Sequence, residues 1–482
     1  MSSTEEGGGA VGAVSTDQTI INNNTNNDSM SIDMRCTDVP LSNGESANLQ
    51  SLDKALDSGQ SNLTANPLIR KVPSTLRRTE DFMKYFKPKV ISIGPLHHDN
   101  PTLHESKELK LKLAAHFLKN IGVDKDSLYR NMKTEIDGLR ECYDPKELEK
   151  YSNDNEKLAW MFFVDGCAIL QAIYMRYGSY DDLYALYGQL FIKNDLLTFV
   201  YSDLLLLENQ IPFRVLELLT SSSDGEQFMH AIKRFIDDTV ITPAEDRFWS
   251  SKWWEQQEGD RVHLLHLLRV RLLFDKEHPW WCDFPFYIEH RFSNEGRIKQ
   301  CHSYTIDNVK ELKKAGIWLK ASQTSCLTDI SFNSIFFFGK LCLPPISVDD
   351  STMNLIAYEM CPDFYNGSTV TSYMCFLDLL IDEAEDVKDL RAAGILFNRL
   401  GSDEEVAKIF NKMNTDLVPS PMIYSEVKRK IHNHCRTTWI KQAAQGYRTY
   451  FRSPWTFLAF VGAITALLLG ALQAYYTIHQ PK

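Results

Sequence analysis

The chain has 482 residues, of which 63 are acidic and 52 are Lys or Arg, so its formal net charge is −11 at pH 7. This acidic balance argues against a nucleic-acid-binding surface, because phosphates are neutralised by a basic face. Hydrophobic residues form 44% of the chain, which is enough to bury a substantial core, and the length would allow two or three domains. The ten cysteines include no C-x-x-C pair and no zinc-finger spacing. This favours a reducing compartment, although it does not exclude disulfides between distant cysteines.

The first segment, residues 1–48, is a low-complexity extension rich in Gly, Ser, Thr and Asn. Its few apolar side chains cannot offset the entropy that is lost on ordering, so we predict that it is disordered. It contains no apolar stretch of the kind found in signal peptides, which argues against a cleaved secretory signal.

The body, residues 49–452, is predicted to be mainly helical. One apolar stripe at helical spacing predicts a helix that ends at Gly122; its members are Leu109, Leu113, Phe117 and Ile121. Further helices are predicted at 158–175, at 196–219 with a break before Pro212, at 262–274, 353–361 and 371–383, and from the capping box Ser402–Glu405. The stretch 158–175 is expected to be a core helix and not a membrane span, because Asp165 interrupts it.

Two parts of the body have strand-like patterns. Residues 90–93 alternate in character and end at Gly94-Pro95, which predicts a short extended segment followed by a turn. Residues 317–348 contain short runs of Ile, Leu, Phe and Val separated by Ser, Thr, Gly and Pro. This pattern predicts a small antiparallel β insert in a predominantly α-helical body, so the expected fold class is α+β.

Residues 455–478 are predicted to form a single transmembrane helix. Residues 457–472 include no charged residue, and a helix of about 22 apolar residues rises roughly 33 Å, enough to cross a hydrocarbon core of about 30 Å. Trp455 lies at one end and Tyr475 and Tyr476 at the other, where aromatic side chains favour the membrane interface. The lipid bilayer is therefore the first expected partner; the alternative is a buried C-terminal core helix.

Small residues recur every four positions along this helix: Gly462, Ala466, Gly470 and Ala474. Such a face lets two helices approach closely, so these residues are candidates for packing within the membrane and for a homodimer. Basic residues are concentrated on the body side of the span, which predicts a cytosolic body at the plasma membrane or an internal membrane. Four N-x-S/T sequons favour the opposite orientation; they begin at Asn23, Asn27, Asn62 and Asn366.

Several charged residues are candidates for a polar cluster: Asp165, Asp203, Glu208, Arg214 and Glu359. A carboxylate in an apolar setting is costly unless it is paired or neutralised. We expect these carboxylates to cap helices or to bind basic partners such as Arg214, and so mainly to organise the core. The alternative is an enzyme in which Asp165, Glu208 and Glu359 act together with His97 in a cleft.

Histidine pairs are candidate metal ligands. His263 and His266 are spaced i, i+3, but no third ligand is suggested nearby. His97 and His98 are adjacent, and neighbouring side chains usually point apart. The chain contains no P-loop, nucleophile-elbow, zincin or kinase motif. We therefore predict no catalytic residue, no metal site and no cofactor.

Motifs that occur in order along residues 68–476 carry a resemblance to a known family. They include Ser92-Ile93-Gly94-Pro95, Arg140-Glu141-Cys142-Tyr143, Asp165-Gly166-Cys167, Asp203–Phe213, Asn354–Glu359 and, before the tail helix, Pro454-Trp455. The run LLENQIPF, Leu206–Phe213, is the most specific of them. The chain thus resembles the plant family known as domain of unknown function 247. It departs from the family pattern at Arg214, where another aromatic residue is usual.

This resemblance implies a plant protein with a C-terminal membrane span and no assigned catalytic activity. Some grass members of the family resemble pollen-side determinants of self-incompatibility, a role that requires recognition surfaces and not catalysis. We therefore expect a non-enzymatic interaction or signalling protein with an unidentified protein partner. The alternatives are a hydrolase-like enzyme and an extracellular recognition protein.

Overall fold

The computed structural model describes residues 42–61, 68–78, 83–178, 192–221, 225–247, 251–257, 261–275, 306–336, 338–364, 367–413, 417–436 and 454–478. The chain divides into two compact units, Met1–Ser61 and Asn62–Lys482. The first unit contains helix α1, Asn43–Ser61. Of the segment predicted to be disordered, residues 1–41 lie outside the described ranges, whereas residues 43–48 are helical. This helix follows from the Ala, Leu, Gln, Glu and Lys residues after Gly44, which are good helix formers.

The second unit is mostly helical, as predicted. Its helices are α2 Ser74–Arg77, α3 His104–Ile121, α4 Lys125–Thr134, α5 Ile136–Glu141, α6 Asn155–Tyr177, α7 Asn194–Asp203, α8 Phe213–Leu219, α9 Glu226–Thr239, α10 Leu264–Leu273, α11 Val309–Lys314, α12 Asp350–Glu359, α13 Thr369–Leu380, α14 Ala384–Ala392, α15 Asp403–Met413, α16 Ser425–Arg436 and α17 Pro454–Ile478. Short 3₁₀ turns cover Pro101–Leu103, Pro145–Tyr151, Leu207–Asn209, Ala244–Asp246 and Ser251–Gln257.

Helix α6 is the central core helix. It packs against α3, α4, α8 and α9, and 94% of its most apolar window is buried inside the protein. Gly166 allows α8 to approach, because a Cβ there would lie 2.6 Å from Leu219 Cδ1 and 2.7 Å from Val215 Cγ1. The prediction of a buried helix at 158–175 is therefore confirmed.

The motif after Asp203 forms a polar corner between two helices. Helix α7 ends at Asp203, and α8 begins at Phe213, directly after Pro212, as the sequence predicts. Gln210 stabilises the corner, since its side-chain amide donates 2.8 Å hydrogen bonds to the carbonyls of Leu204 and Leu206. Its amide oxygen also accepts a hydrogen bond from the backbone N–H of Leu265 at 3.1 Å. The corner is thereby tied to the start of α10.

The described strands form two small sheets. The first has the order β1-β3-β2, with β1 Ile317–Ala321 parallel to β3 Phe338–Leu343 and β2 Ser331–Ile335 antiparallel to β3. The second pairs β4 Ile346–Val348 with β5 Leu396–Asn398 in parallel.

The predicted antiparallel insert at 317–348 is therefore wrong in its topology. Among the strands that the structure describes, only the β2–β3 hairpin is antiparallel. The connection from β1 to β2 brings β1 beside β3 in parallel orientation. Strand β4 pairs with β5, which follows helices α12, α13 and α14 in the chain. Alternation within a strand predicts which face is buried but carries no information on such long-range pairing.

Helix α17 is a C-terminal apolar helix of 25 residues. Its window Leu458–Thr477 has a mean hydropathy of 1.8, and none of it is buried against the protein. At about 1.5 Å per residue, a helix of this length can cross a bilayer. A Cβ added at Gly462 or Gly470 would meet no atom within 4 Å, so the face with the small residues is uncovered there.

Some sequence features lie outside the described residues. They are the four sequon residues Asn23, Asn27, Asn62 and Asn366, the cysteines Cys36, Cys282 and Cys301, and the basic residues Lys441, Arg448 and Arg452. The seven cysteines that the structure describes form no disulfide with one another.

Candidate functional site

A short segment without regular secondary structure, residues 89–94, lies beside the polar corner and is held by side chains. The carboxylate of Asp203 accepts hydrogen bonds from the backbone N–H groups of Lys89, Val90 and Ile91, the shortest at 2.7 Å. The next three amides are also bound by side chains: Ser92 by Ser106 at 2.9 Å, Ile93 by Asn209 at 2.7 Å and Gly94 by Asp165 at 2.8 Å. We call residues 89–94 the clamped segment.

Six consecutive backbone N–H groups thus donate hydrogen bonds to side chains. In a sheet, the acceptors would instead be the carbonyl groups of a neighbouring strand. This explains why the extended segment predicted at 90–93 is not part of a sheet. Gly94 has φ = +72°, and a Cβ there would lie 2.6 Å from the Gln210 carbonyl oxygen, so glycine is required at the end of the segment. Burial raises the pKa of Asp203, although its bonds to the three amides act in the opposite direction.

Asp165 forms a buried ion pair with Lys110 on α3. Lys110 Nζ lies 2.6 Å from Asp165 Oδ1 and donates a 2.7 Å hydrogen bond to the Ser92 carbonyl. Both side chains are less than 5% exposed. Breaking such a pair leaves an uncompensated charge, which is strongly unfavourable in a protein interior. Asp165 therefore joins α6 to α3 and to the clamped segment.

Glu208 binds the beginning of the second unit. Its Oε1 accepts hydrogen bonds from the Val72 N–H at 2.8 Å and from Arg77 at 2.7 Å, and His97 Nε2 lies 3.1 Å from its Oε2. Burial alone would raise the pKa of Glu208. The nearby His97 ring, the hydrogen bond from the Val72 N–H and the charge of Arg77 together outweigh burial, so the pKa of Glu208 is lowered.

Glu359 is sealed in the core by its own partners. Its Oε1 accepts a 2.8 Å hydrogen bond from Arg269 Nε, and both side chains are fully buried. Its Oε2 accepts hydrogen bonds from the backbone N–H and the hydroxyl of Thr371, both at 2.8 Å. Asn354 of the same helix accepts from the Leu207 N–H and donates to the Tyr85 carbonyl, each at 2.8 Å. Helix α12 is thereby joined to the polar corner and to α13.

Arg214 does not pair with Glu208, contrary to the expectation from sequence. Its half-exposed guanidinium contacts Glu135 at 3.0 Å and Glu217 at 3.5 Å. Arg214 lies in the first turn of α8, where its side chain faces outward towards Glu135 between α4 and α5. Proximity in sequence to Glu208 was therefore a misleading signal.

The residues of the alternative enzyme hypothesis do not share one set of partners. His97 contacts Glu208, whereas Asp165 pairs with Lys110 and Glu359 with Arg269. Each of the three carboxylates thus has its own cationic partner and holds a different part of the backbone. Burial, followed by the nearby charge of Lys110, lowers the pKa of His98.

His263 and His266 are buried structural side chains at the start of α10. His263 Nδ1 caps the helix by accepting a hydrogen bond from the His266 N–H at 3.2 Å. His266 Nδ1 lies 3.0 Å from the Tyr358 hydroxyl. Burial lowers the pKa of His266 to about 3, so its ring is neutral at physiological pH. No group of three or more His, Cys, Asp or Glu side chains arranged for a metal ion occurs within the described ranges.

An open groove of about 530 Å³ adjoins the clamped segment. Its walls come from the end of α6, from α7, from α9, from the start of α12 and from the loop before α15; the charged and aromatic residues among them are Lys84, Tyr85, Lys89, Arg176, Tyr177, Phe199, Tyr201, Phe235, Asp238, Asp349, Asp350, Arg399 and Glu405. A second recess of about 360 Å³ shares Lys84, Tyr85 and Glu405 with it. The 3.0 Å ion pair between Lys84 and Glu405 lies on the boundary between the two.

The groove presents both signs of charge next to aromatic surface. The Arg176 guanidinium lies over the rings of Tyr177 and Tyr201, at 5.4 and 5.6 Å from their centroids. Phe199 is 48% exposed. Arg399 is exposed as well, and in the described part of the chain its guanidinium forms neither a hydrogen bond nor an ion pair. Sequence analysis missed these residues because they come from distant elements and form no local motif.

Comparisons with known proteins agree with the resemblance. A family model described as a plant protein of unknown function, DUF247, matches residues 69–469. The Arabidopsis thaliana UPF0481 protein At3g47200 is 28% identical over 420 residues, covering 82% of this chain and 83% of its own. The putative UPF0481 protein At3g02645 from the same plant is 23% identical over 476 residues, covering 81% and 86% respectively. No solved structure matches the chain. The chain belongs to the plant family DUF247, whose function is unknown.

Proposed function

We propose that the protein is a membrane-anchored, non-enzymatic interaction protein whose groove binds an extended segment of a partner protein. The observation that carries this proposal is the groove itself, which combines the exposed Phe199 and the partly exposed Tyr177 with charges of both signs. Aromatic residues and Arg are enriched at the centres of protein–protein interfaces. An open groove with mixed charge suits a peptide better than a small apolar ligand, which is normally enclosed by apolar walls.

The arrangement of the buried carboxylates supports a non-enzymatic role. Asp165, Glu208 and Glu359 each hold backbone or hydroxyl groups through hydrogen bonds. They are already used to connect elements of the fold. The described residues that line the groove include neither His nor Cys, the side chains that most often supply a base or a nucleophile.

Anchoring by α17 is the second part of the proposal. Its length, its apolar character and its uncovered surface support insertion in a bilayer. The concentration of basic residues before it supports a cytosolic body. A recognition role of the kind suggested for grass relatives would use the same groove, on whichever side of the membrane the body lies.

Two experiments test the two parts separately. For topology, full-length protein with an N-terminal tag is expressed in plant cells, and sealed microsomes are treated with protease and with a glycosidase. Digestion of the tag without a glycosidase shift is expected for a cytosolic body. A protected tag with a shift at Asn62 or Asn366 would instead favour extracellular recognition, and release of the protein by alkaline carbonate would refute anchoring.

For the groove, proximity labelling in the same cells compares wild type with Phe199→Asp and Arg399→Glu. The matched control is Leu111→Asp, since Leu111 on α3 is similarly exposed and is not among the residues that line the groove. We expect a set of neighbours that both groove variants lose and the control retains. If both groove variants keep every neighbour that the control keeps, the groove is not the binding surface.

A further inference from the structure

The end of the first sheet carries an exposed apolar cluster, which we call the apolar tip: Trp318, Ile335 and Phe336, with exposed fractions of 65%, 71% and 83%. Strand β2 ends at Ile335 and β3 begins at Phe338, so Phe336 lies in the two-residue hairpin connection. Ile317 pairs with Gly339. Ile335 pairs with Phe338 at the hairpin end and Trp318 pairs with Lys340, so Trp318 lies two register positions from that end.

The backbone conformation at Phe336 is a second unusual feature of the apolar tip. Phe336 has φ = +55°, a conformation that is unfavourable for a bulky side chain. Two-residue hairpin turns strongly prefer Asn or Gly at such positions. An aromatic residue here makes the turn less favourable and also exposes a large apolar surface. Strain of this kind is concentrated at functional sites.

Basic side chains flank the apolar tip on the exposed face of the sheet. Lys340 pairs with Trp318 in the register of β1 and β3, and Lys320 follows Trp318 by two residues on β1. Both lysines are exposed, and neither forms an ion pair with any residue that the structure describes. Apolar and aromatic side chains bordered by lysines form the pattern of a surface that rests in the lipid headgroup region.

The hairpin packs against the helix that leads to the membrane anchor. The rings of Phe332 on β2 and His434 on α16 lie 5.6 Å apart. Phe332 is three residues from Ile335, or about 10 Å along the strand. Helix α16 ends at Arg436 and α17 begins at Pro454. The residues between them can span at most about 60 Å, so a bilayer crossed by α17 is within reach of the tip.

We propose that the apolar tip inserts into the headgroup–acyl boundary of the bilayer that α17 crosses, with Lys320 and Lys340 facing anionic lipid headgroups. The inference rests on the proposed anchoring by α17, because the tether supplies the high local concentration of lipid. A second membrane contact would fix the orientation of the body relative to the bilayer. A protein partner on the same surface is the competing occupant, and the experiment below separates the two.

The test uses the full chain reconstituted in nanodiscs that contain phosphatidylserine. The photoreactive residue p-benzoylphenylalanine replaces either Phe336 or, as the matched control, the exposed Phe397 on β5, and intact-mass spectrometry detects lipid adducts. We expect about tenfold more lipid adduct from position 336, since burial of one aromatic side chain shifts an equilibrium by about this factor. The double variant Lys320→Glu/Lys340→Glu should reduce that yield in anionic nanodiscs and leave it unchanged in zwitterionic ones.

A second variant separates lipid contact from folding. Phe336→Gly removes the side chain and relieves the positive φ, so it should keep or raise the melting temperature. In nanodiscs, it should also increase deuterium uptake of β2 and β3 relative to wild type. Equal lipid adducts at 336 and 397, or protein adducts alone at 336, would overturn the inference. Full chain that elutes apart from the nanodiscs would refute anchoring, and the inference with it, whereas co-elution without adducts at 336 refutes only the inference.

Discussion

Replacement of Asp203 tests whether the clamped segment is held by this one carboxylate. Asp203→Ala leaves three backbone amides without their acceptor. The Ile91 amide is in the buried interior and costs about 1–3 kcal/mol when unsatisfied, whereas water can reach the amides of Lys89 and Val90 in part. The variant also removes the unfavourable free energy of burying the Asp203 carboxylate, which offsets some of this loss. We expect the free energy of unfolding to fall by about 3 kcal/mol.

Asp203→Asn provides a graded comparison. Its carbonyl oxygen can occupy the place of Oδ2 and keep the hydrogen bonds from the N–H groups of Val90 and Ile91, together with the 3.0 Å bond from Lys89. Its amide group then replaces Oδ1 and opposes the Lys89 N–H. We expect a loss of about 1–2 kcal/mol. The control Asp195→Asn, at an exposed position in the first turn of the same helix, should lose no more than about 0.5–1 kcal/mol.

The assay is urea unfolding of the purified full chain in detergent micelles, followed by tryptophan fluorescence. The expected order of destabilisation is Asp203→Ala, then Asp203→Asn, then Asp195→Asn. If Asp203→Ala lost less than about 1 kcal/mol with an unchanged urea slope, the amides of residues 89–91 would have another source of stabilisation and the clamp argument would fail.

Three further predictions concern other parts of the structure. The folded pKa of Glu208 is lowered. Its contribution to stability is therefore present above its unfolded pKa of about 4.3 and is lost as pH falls through the folded value. In acid unfolding titrations, Glu208→Gln should lose stability less steeply than wild type, because it lacks this titrating group. Arg269→Met leaves the fully buried Glu359 carboxylate without its cation and should cost about 3–5 kcal/mol, and Arg269→Met/Glu359→Leu should recover part of that loss in the same urea assay. Gly462→Leu should reduce energy transfer between labelled copies in a bilayer more than Ala463→Leu does, since only Gly462 lies on the small-residue face; equal effects would argue against that dimer face.

Local patterns in the sequence predicted the elements that depend on local chemistry. The apolar run around Gly166 predicted the core helix, and Pro212 marked the start of α8 after the polar corner. The mixed sheet was not predictable, because β5 joins β4 only after three intervening helices. Pairing of that kind is decided by how the whole body packs.

The partners of the buried carboxylates were hidden for the same reason. The sequence indicated that Glu208 needs a cation, but the neighbour in sequence, Arg214, faces outward and Arg77 supplies the charge from the beginning of the unit. The groove residues Arg176 and Arg399 carry no local signal at all. A sequence motif therefore predicted that a charged side chain has a partner, but only the fold identified the partner.

The clamped segment and the groove are parts of one structural unit, and this gives the Asp203 variants a second use. Lys89 is bound by Asp203 through its backbone and by Asp350 through its side chain at 2.6 Å, and it lines the groove. Loosening residues 89–91 should therefore move one groove wall without touching Phe199 or Arg399. If Asp203→Asn folds but loses the same neighbours in proximity labelling as Arg399→Glu, the shape of the groove is part of recognition. If it keeps them, recognition depends on the side chains of Phe199 and Arg399 and not on the position of Lys89.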